Sequence, residues 1–175
     1  NEKNTNEIII FDIDASSKGT EINFDLLKRV SRESRMPVCY GGGVKDVETS
    51  EKLLSIGIEK ISLSSAAIRD TTLIEKISNR IGKQSVVVTL DVKKKWNWSY
   101  EIYINNGKTN TGISLKNFLS NRDYDFVGEV CINSIDKDGT NSGYDFSLIK
   151  KYYPVIKSHA TFVGGCNSID EIIHL

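Results

Sequence analysis

Two short stretches, "GTEINFD" at residues 19–25 and "GTNSGYD" at residues 139–145, follow one pattern. Each consists of Gly-Thr, three further residues, an aromatic residue and Asp, and each comes after an apolar run and Asp-rich residues. A second pair, "YGGGVKDVE" at residues 40–48 and "VGGCNSIDE" at residues 163–171, extends the likeness along each half. Such self-similarity predicts a duplicated half made of a strand, a Gly-Thr loop, a helix, a strand and a Gly-Gly loop.

Strand-like runs alternate with helical patterns along the whole chain. Strands are predicted at residues 7–13, 37–42, 60–65, 85–92, 128–134 and 160–165, and helices at 24–34, 46–57, 71–82, 147–153 and 168–175. Several strands are apolar almost throughout, as is typical of parallel strands that are buried on both faces. The alternation predicts βαβ units around a parallel sheet, which is either open and doubly wound or closed into a barrel.

The repeat favours the barrel. Two half-units of about 120 residues approach the roughly 250 residues of a typical (β/α)₈ barrel. We therefore predict an α/β fold, a TIM barrel built from two half-barrel repeats, with about six βα units visible. Residues 1–175 are expected to form one barrel domain that lacks the first and last βα units.

The segment at residues 93–112 departs from the alternation. It contains the alternating "YEIYI" and then Asn105-Asn106-Gly107, a pair of features typical of a β-hairpin. Trp96 and Trp98 precede it, and they are expected to pack the insertion rather than to stack on bases, because no basic groove surrounds them.

Composition excludes several classes of protein. The net charge is zero and the pI is near 6.9, so broad electrostatic attraction to nucleic acid has no support. No apolar run reaches the roughly 18 residues of a membrane span. The three cysteines, Cys39, Cys131 and Cys166, form no C-x-x-C pair, and we expect small buried thiols in a reducing cytoplasm. No metal site and no cofactor are predicted.

The predicted loops after the strands carry the chemistry. In such barrels, functional residues lie at the carboxyl ends of the strands. Glycines allow backbone amides to approach a phosphate closely, so the paired Gly-rich loops predict two phosphate sites, one in each half. Asp91 ends an apolar strand and is a candidate general acid/base; a helix cap or a turn is an equally open interpretation. The same alternatives apply to Asp138.

Five motifs carry a resemblance to a known family: "DIDASSKGT", "YGGGVKDVE", "VVTLDVKKK", "KTNTG" and "INSIDKDGTNSGYD". They resemble the cyclase subunit of imidazole glycerol phosphate synthase, and the likeness covers essentially the whole chain, from the family's second strand to its seventh. The resemblance implies a (β/α)₈ barrel that receives ammonia from a glutaminase partner in a heterodimer. Such a subunit closes an imidazole ring on a bisphosphorylated ribulosyl aminoimidazole carboxamide nucleotide, and it releases imidazole glycerol phosphate and the aminoimidazole carboxamide ribonucleotide.

The resemblance also implies roles for individual residues. Asp91 matches one of two catalytic aspartates, and the other belongs to a first strand outside these residues. One phosphate site is implied at Gly43, Ser64 and Ser65, and the other at Asp138, Gly139 and Gly165. Glu7, Lys60 and Glu129 match three of the four charged residues that gate ammonia entry at the opposite end of the barrel.

Some positions depart from the family pattern. Asp14 and Asn133 stand where the family usually has Thr, Ser64 stands in place of Asn, and Cys166-Asn167 replace Ala-Gly. The "DIDAS", "YGGG" and "INSID" variants look more like paralogues found in surface-polysaccharide gene sets, which leaves a second function open: an ammonia-channelling subunit for sugar amidination. A generic phosphate-binding barrel isomerase is a third alternative, but it has no need of the charged gate.

Overall fold

Parallel strands form the centre of the fold. The computed structural model describes residues 6–17, 19–120, 125–168 and 171. Its strands are β1 (Ile8–Phe11), β2 (Val38–Gly41), β3 (Lys60–Leu63), β4 (Val86–Lys94), β5 (Tyr100–Ile104), β6 (Thr109–Ser114), β7 (Glu129–Ser134) and β8 (His159–Val163). Strands β1, β2, β3, β4, β7 and β8 pair in that order, all in parallel. The six predicted strands are confirmed.

Helices connect these strands. They are α1 (Ile13–Ser17), α2 (Phe24–Glu33), α3 (Val47–Ser55), α4 (Ser65–Arg69), α5 (Thr72–Ile81), α6 (Leu115–Leu119) and α7 (Phe146–Tyr152). Four of the predicted helices, now α2, α3, α5 and α7, are confirmed, and three short helices, α1, α4 and α6, were not predicted. Asn23 and Asp145 cap α2 and α7 by accepting hydrogen bonds from backbone amides in the first turn. The helix predicted at residues 168–175 falls almost wholly outside the described residues. No helix in the described ranges is both long enough and apolar enough to span a bilayer.

The sheet is buried on both faces, and its side chains alternate between them. Val86, Val88 and Leu90 of β4 join the large core under the helices. On the other face, Cys39, Val87 and Cys131 form a small inner core with Ile9 of β1 and Val163 of β8.

The inner core shows that the sheet curls. In a flat sheet, β2 and β4 would lie about 10 Å apart with β3 between them, at about 4.8 Å per strand. The side chains of Cys39 on β2 and Val87 on β4 nevertheless belong to one small cluster. The fold is therefore of the α/β TIM-barrel type, with parallel strands curled into part of a barrel wall.

The predicted hairpin insertion is confirmed. Strand β4 continues beyond the sheet and pairs with β5, which pairs in turn with β6, both in antiparallel fashion. Asn105, Asn106 and Gly107 form the tip with φ values of 55°, 57° and 71°. The left-handed region is accessible to Asn and Gly at low cost, which explains these residue types.

The expectation that Trp96 and Trp98 pack the insertion is wrong. They are 91% and 66% exposed, because they lie on the turn between β4 and β5, which projects beyond the sheet. Tyr100 anchors the hairpin instead: it is buried, its ring meets Tyr152 edge-on at 5.8 Å, and its hydroxyl donates to Asp145 at 2.8 Å.

The cysteine expectation holds in part. Cys39 and Cys131 are buried thiols of the inner core, and burial raises the pKa of both. Cys166 is exposed, because it lies in the loop after β8 rather than on the strand.

Gly128 marks a close approach that the sequence does not reveal. A methyl group added there would collide with the backbone carbonyl oxygen of Lys83. We expect Gly128→Ala to lower the free energy of unfolding by about 1–3 kcal/mol, the usual cost of overpacking, as measured by urea denaturation. Gly112→Ala is the control, because a methyl there meets nothing within 4 Å and adds only the cost of its φ of 71°. Equal losses in the two variants would refute the collision.

Candidate functional site

Two glycine-rich loops lie at the carboxyl edge of the sheet. Gly42 and Gly43 follow β2 with φ values of 146° and 65°, and Gly164 and Gly165 follow β8 with φ values of 100° and 88°. Consecutive glycines with positive φ therefore occur at equivalent places in the two halves, as the repeat predicts.

Asp91 lies on the inner face of β4 near this edge. Its partner in the parallel ladder is Asn133 of β7, whose side-chain amide donates to Asp91 Oδ1 at 3.0 Å. Burial raises the pKa of Asp91 above its ordinary value, the hydrogen bond from Asn133 opposes that rise, and the charge of Asp138 adds to it. A carboxyl group in this setting suits proton transfer better than an exposed one, because its proton affinity lies closer to neutral pH.

Asp138, Gly139 and Gly165 come from neighbouring loops. The loop after β7 contacts the loop after β8, where Gly143 donates its amide to the carbonyl of Gly165 at 2.8 Å. Gly139 has a φ of 70°, and a side chain there would meet nothing within 4 Å, so its backbone lies open to solvent.

Gly43, Ser64 and Ser65 follow the adjacent strands β2 and β3. The hairpin tip reaches this group, because the amide of Asn105 donates to Ser65 Oγ at 3.1 Å. Arg69 fixes the tip by donating to Asn105 Oδ1 at 2.6 Å. Ser65 Oγ accepts from Asn105, and no hydrogen bond among the described residues uses its hydroxyl hydrogen.

Glu7, Lys60 and Glu129 converge at the opposite, amino-terminal edge. The ammonium of Lys60 lies 2.7 Å from Glu7 Oε2 and 2.8 Å from Glu129 Oε2. Thr161 donates to the other oxygen of Glu129 at 2.6 Å. The second oxygen of Glu7, Oε1, is buried and finds no hydrogen-bond partner within the described ranges.

Mutual attraction outweighs burial in this cluster. Burial favours the neutral form of Lys60, but hydrogen bonds from its ammonium to Glu129 and Glu7 raise its pKa overall. Burial likewise acts to raise the pKa of Glu129, yet hydrogen bonds from Lys60 and Thr161 lower it overall. Lys60 and Glu129 are therefore charged at neutral pH.

A column of inward side chains connects the two edges. Above the ion-pair cluster lies the inner core of Cys39, Val87 and Cys131, and above that Ser62 and Thr89 share a hydrogen bond of 2.6 Å. Asp91 stands two residues beyond Thr89 on the same face of β4.

An open cleft of about 450 Å³ borders the amino-terminal edge. Lys83, Asp125, Gly128, Lys157 and His159 are among its lining residues, and Glu129 of the ion-pair cluster follows directly after Gly128. No group of three or more His, Cys, Asp or Glu side chains within the described ranges is arranged to hold a metal ion.

Comparison with known proteins agrees with this architecture. The family model described as "Histidine biosynthesis protein" matches residues 1–175. A putative imidazole glycerol phosphate synthase subunit HisF of Leptospira borgpetersenii is 43% identical across the whole chain, which covers 69% of that relative. The chain is a member of the HisF family.

Other HisF relatives show the same extent of likeness. A putative imidazole glycerol phosphate synthase subunit of Vibrio vulnificus is 39% identical, over 100% of this chain and 68% of its own length. An imidazole glycerol phosphate synthase subunit HisF of Lactococcus lactis subsp. cremoris is 36% identical, over 99% of this chain and 68% of its own length.

Sequence reasoning missed three residues of these sites. Asn133 is predicted only as a departure from the family and Asn105 only as part of the hairpin turn, and Thr161 carries no prediction. The alternation of side chains along a strand could have indicated Asn133. It lies two residues after Cys131 and four after Glu129, so all three share the inner face. Pairing with Asp91 depends on strand register, which one sequence does not provide.

Removal of the central ammonium tests the ion-pair cluster. We expect Lys60→Met to lower the free energy of unfolding at pH 7 by about 2 kcal/mol or more, because two neighbouring carboxylates lose their shared partner. The depressed pKa of Glu129 supplies stability that is present above its unfolded pKa and is lost as pH falls. The difference between the two proteins should therefore shrink as pH drops below about 4.5.

The control is the exposed ion pair between Arg80 and Glu51, whose side chains are 65% and 42% exposed. Arg80→Met should cost less than about 1 kcal/mol. A loss in Lys60→Met that is as small as this, or that does not depend on pH, would contradict the coupling described.

Proposed function

We propose that this protein is the ammonia-dependent cyclase subunit of imidazole glycerol phosphate synthase. The observation that carries the proposal is the single column of inward residues, which joins the Glu7–Lys60–Glu129 cluster at one edge to Asp91 between two glycine-rich loops at the other. Family membership supports the same assignment.

The two glycine-rich edges fit a substrate with a phosphate at each end. Gly43, Ser64 and Ser65 would hold one phosphate, and Asp138, Gly139 and Gly165 the other. Backbone amides and hydroxyl hydrogens can donate to phosphate oxygens from both loops. Asp91 lies on the strand between β3 and β7, so a bisphosphorylated nucleotide that bridges the loops would pass over its carboxyl group.

Asp91 is the proposed acid/base residue. Addition of ammonia to a ketose carbonyl requires that nitrogen lose a proton, and release of the carboxamide ribonucleotide requires that its leaving nitrogen gain one. A carboxyl group can accept the first proton and later return one. Burial raises the pKa of Asp91 toward the working range, which makes both transfers easier.

A glutaminase is the proposed partner, as a heterodimer docked at the amino-terminal edge. Ammonia in neutral water is mostly protonated and therefore a poor nucleophile, so it must travel enclosed. The interlocked charges of Glu7, Lys60 and Glu129 would close the entrance to bulk water, and the open cleft beside Glu129 gives the partner a surface to engage. We assign this chemistry to the cytoplasm, where the buried thiols of Cys39 and Cys131 remain reduced.

A second candidate is the ammonia-channelling subunit for sugar amidination. Departures at the carboxyl edge favour it, among them Ser64, Asn133 and Asp14, whereas the charged cluster at the entrance is kept. One measurement distinguishes the two functions. The cyclase converts the bisphosphorylated nucleotide when it is supplied with ammonium salts alone, and the conduit does not.

The acid/base assignment predicts the behaviour of Asp91→Asn in the full-length protein. The amide is isosteric but transfers no proton, so turnover with ammonium should fall about 10²-fold or more while nucleotide affinity stays within a few-fold. Steady-state kinetics measure the turnover, and a binding titration measures the nucleotide affinity. Glu75→Gln, an exposed change on α5, is the control for loss of a carboxylate elsewhere. Normal turnover in Asp91→Asn would refute the assignment.

The gate assignment predicts a different defect for Lys60→Ala. Turnover with free ammonium should change by less than about threefold, because that ammonia enters from solvent at the carboxyl edge. With the glutaminase and glutamine, the ratio of imidazole product to glutamate should fall at least about twofold, because ammonia escapes at an entrance that the Lys60 ion pairs no longer close. A ratio equal to that of the unaltered protein would remove Lys60 from the proposed gate.

A further inference from the structure

Asn133 lies directly opposite the proposed acid/base residue. It pairs with Asp91 in the parallel ladder between β7 and β4, and its side chain points to the same inner face. The side-chain nitrogen is 3.0 Å from Asp91 Oδ1. The hydrogen bonds formed by the described residues leave Asp91 Oδ2 without a partner, so the two carboxyl oxygens have different surroundings.

The backbone after β8 passes near the amide of Asn133. A methyl group added to Gly164 would approach Asn133 Oδ1 to 3.2 Å, so the backbone after β8 lies close behind the amide oxygen. Gly164 has a φ of 100°, which allows this approach without a side chain.

A side-chain N–H only donates, so it stabilises the ionised carboxylate more than the neutral acid. Burial acts in the opposite direction at Asp91, and the balance leaves its pKa raised. Asn133 therefore limits how far burial raises that pKa.

We propose that Asn133 is a positioning residue: it fixes Oδ1 of Asp91 and leaves Oδ2 to exchange the proton with the reacting nitrogen. This inference rests on the proposed function of Asp91 as the acid/base residue. The family resemblance implies Thr at position 133, whose side chain is shorter and carries a hydroxyl, so the amide N–H donor departs from the family's usual residue.

Other titratable groups lie beside Asp91. Asp138, in the loop after β7, raises its pKa through like charge. Cys131 lies on the same face of β7, two residues before Asn133, and its own pKa is raised in part by the charge of Asp91. Tyr103 of β5 pairs with Asp91 on the other side of β4.

The test is a titration of the Asp91 carboxyl carbon by NMR in the full-length protein. The signal, labelled with carbon-13 in Asp, is assigned by its loss in Asp91→Asn. Asn133→Leu keeps the side-chain size and removes the donor. We expect the pKa of Asp91 to rise by about one unit or more, the size that loss of a hydrogen bond to a charged group corresponds to.

The same variant has a kinetic readout. The pH dependence of kcat/KM is measured with ammonium and the bisphosphorylated nucleotide. The apparent pKa that reports Asp91 in this profile should rise by the same amount as the NMR pKa. A purely structural role would lower the activity at every pH and would leave this apparent pKa in place.

Thr89→Val is the matched control. It removes a polar group from the inner face two residues before Asp91, and it should leave the pKa of Asp91 within about 0.3 units of that of the unaltered protein. If Asn133→Leu does not fold, Asn133→Ala removes the same donor with less bulk.

A pKa of Asp91 in the variant within about 0.3 units of the original overturns the proposal. The titration needs no turnover. Failure of the unaltered protein to convert the nucleotide would therefore refute the proposed function and still leave the role of Asn133 measurable.

Discussion

Strand register between β4 and β7 is the constraint on which the rest of the structure depends. Six ladder pairs, from Val87 with Glu129 to Val92 with Ser134, place alternate residues of both strands on the inner face. A slip of one residue would turn one of the two strands over, and either Asp91 or Asn133 would then face the helices while apolar side chains of that strand turned inward. The apolar residues on the helix side prevent this, because Val86, Val88 and Leu90 are fully buried there. Packing of the outer layer thus fixes the position of the inner polar groups.

The charged cluster at the amino-terminal edge is possible only within this curled sheet. Lys60 and its two glutamates come from β3, the start of β1 and the start of β7, and they meet because the inner face is concave. Each of these groups loses water when it is enclosed, and mutual hydrogen bonding offsets that loss. At Glu7 this compensation is incomplete, because its buried Oε1 has no hydrogen-bond partner within the described ranges.

The sequence predicted the architecture well because parallel strands that are buried on both faces have a strong apolar signature. It also predicted the hairpin, since Asn-Asn-Gly has few other uses between two alternating runs. Contacts that depend on register or on the course of a loop could not be predicted in this way. The partnership of Asn133 with Asp91 depends on which strand lies beside β4, and the hairpin tip reaches Ser65 only because β5 folds back along β4. The expectation that Trp96 and Trp98 pack the insertion was wrong for a similar reason, because a turn between antiparallel strands has no second layer to cover it.

That exposed turn has a spectroscopic consequence. The protein has two tryptophans, Trp96 and Trp98, and both are largely surrounded by solvent in the folded state, with the ammonium of Lys94 3.9 Å from the centre of the Trp98 ring. Intrinsic tryptophan emission will therefore already be close to that of a hydrated indole before denaturation, and it will change little when the barrel wall comes apart. The two indoles report instead on the immediate surroundings of one turn, so any binding event that shifts their emission must take place at the hairpin rather than in the inner core.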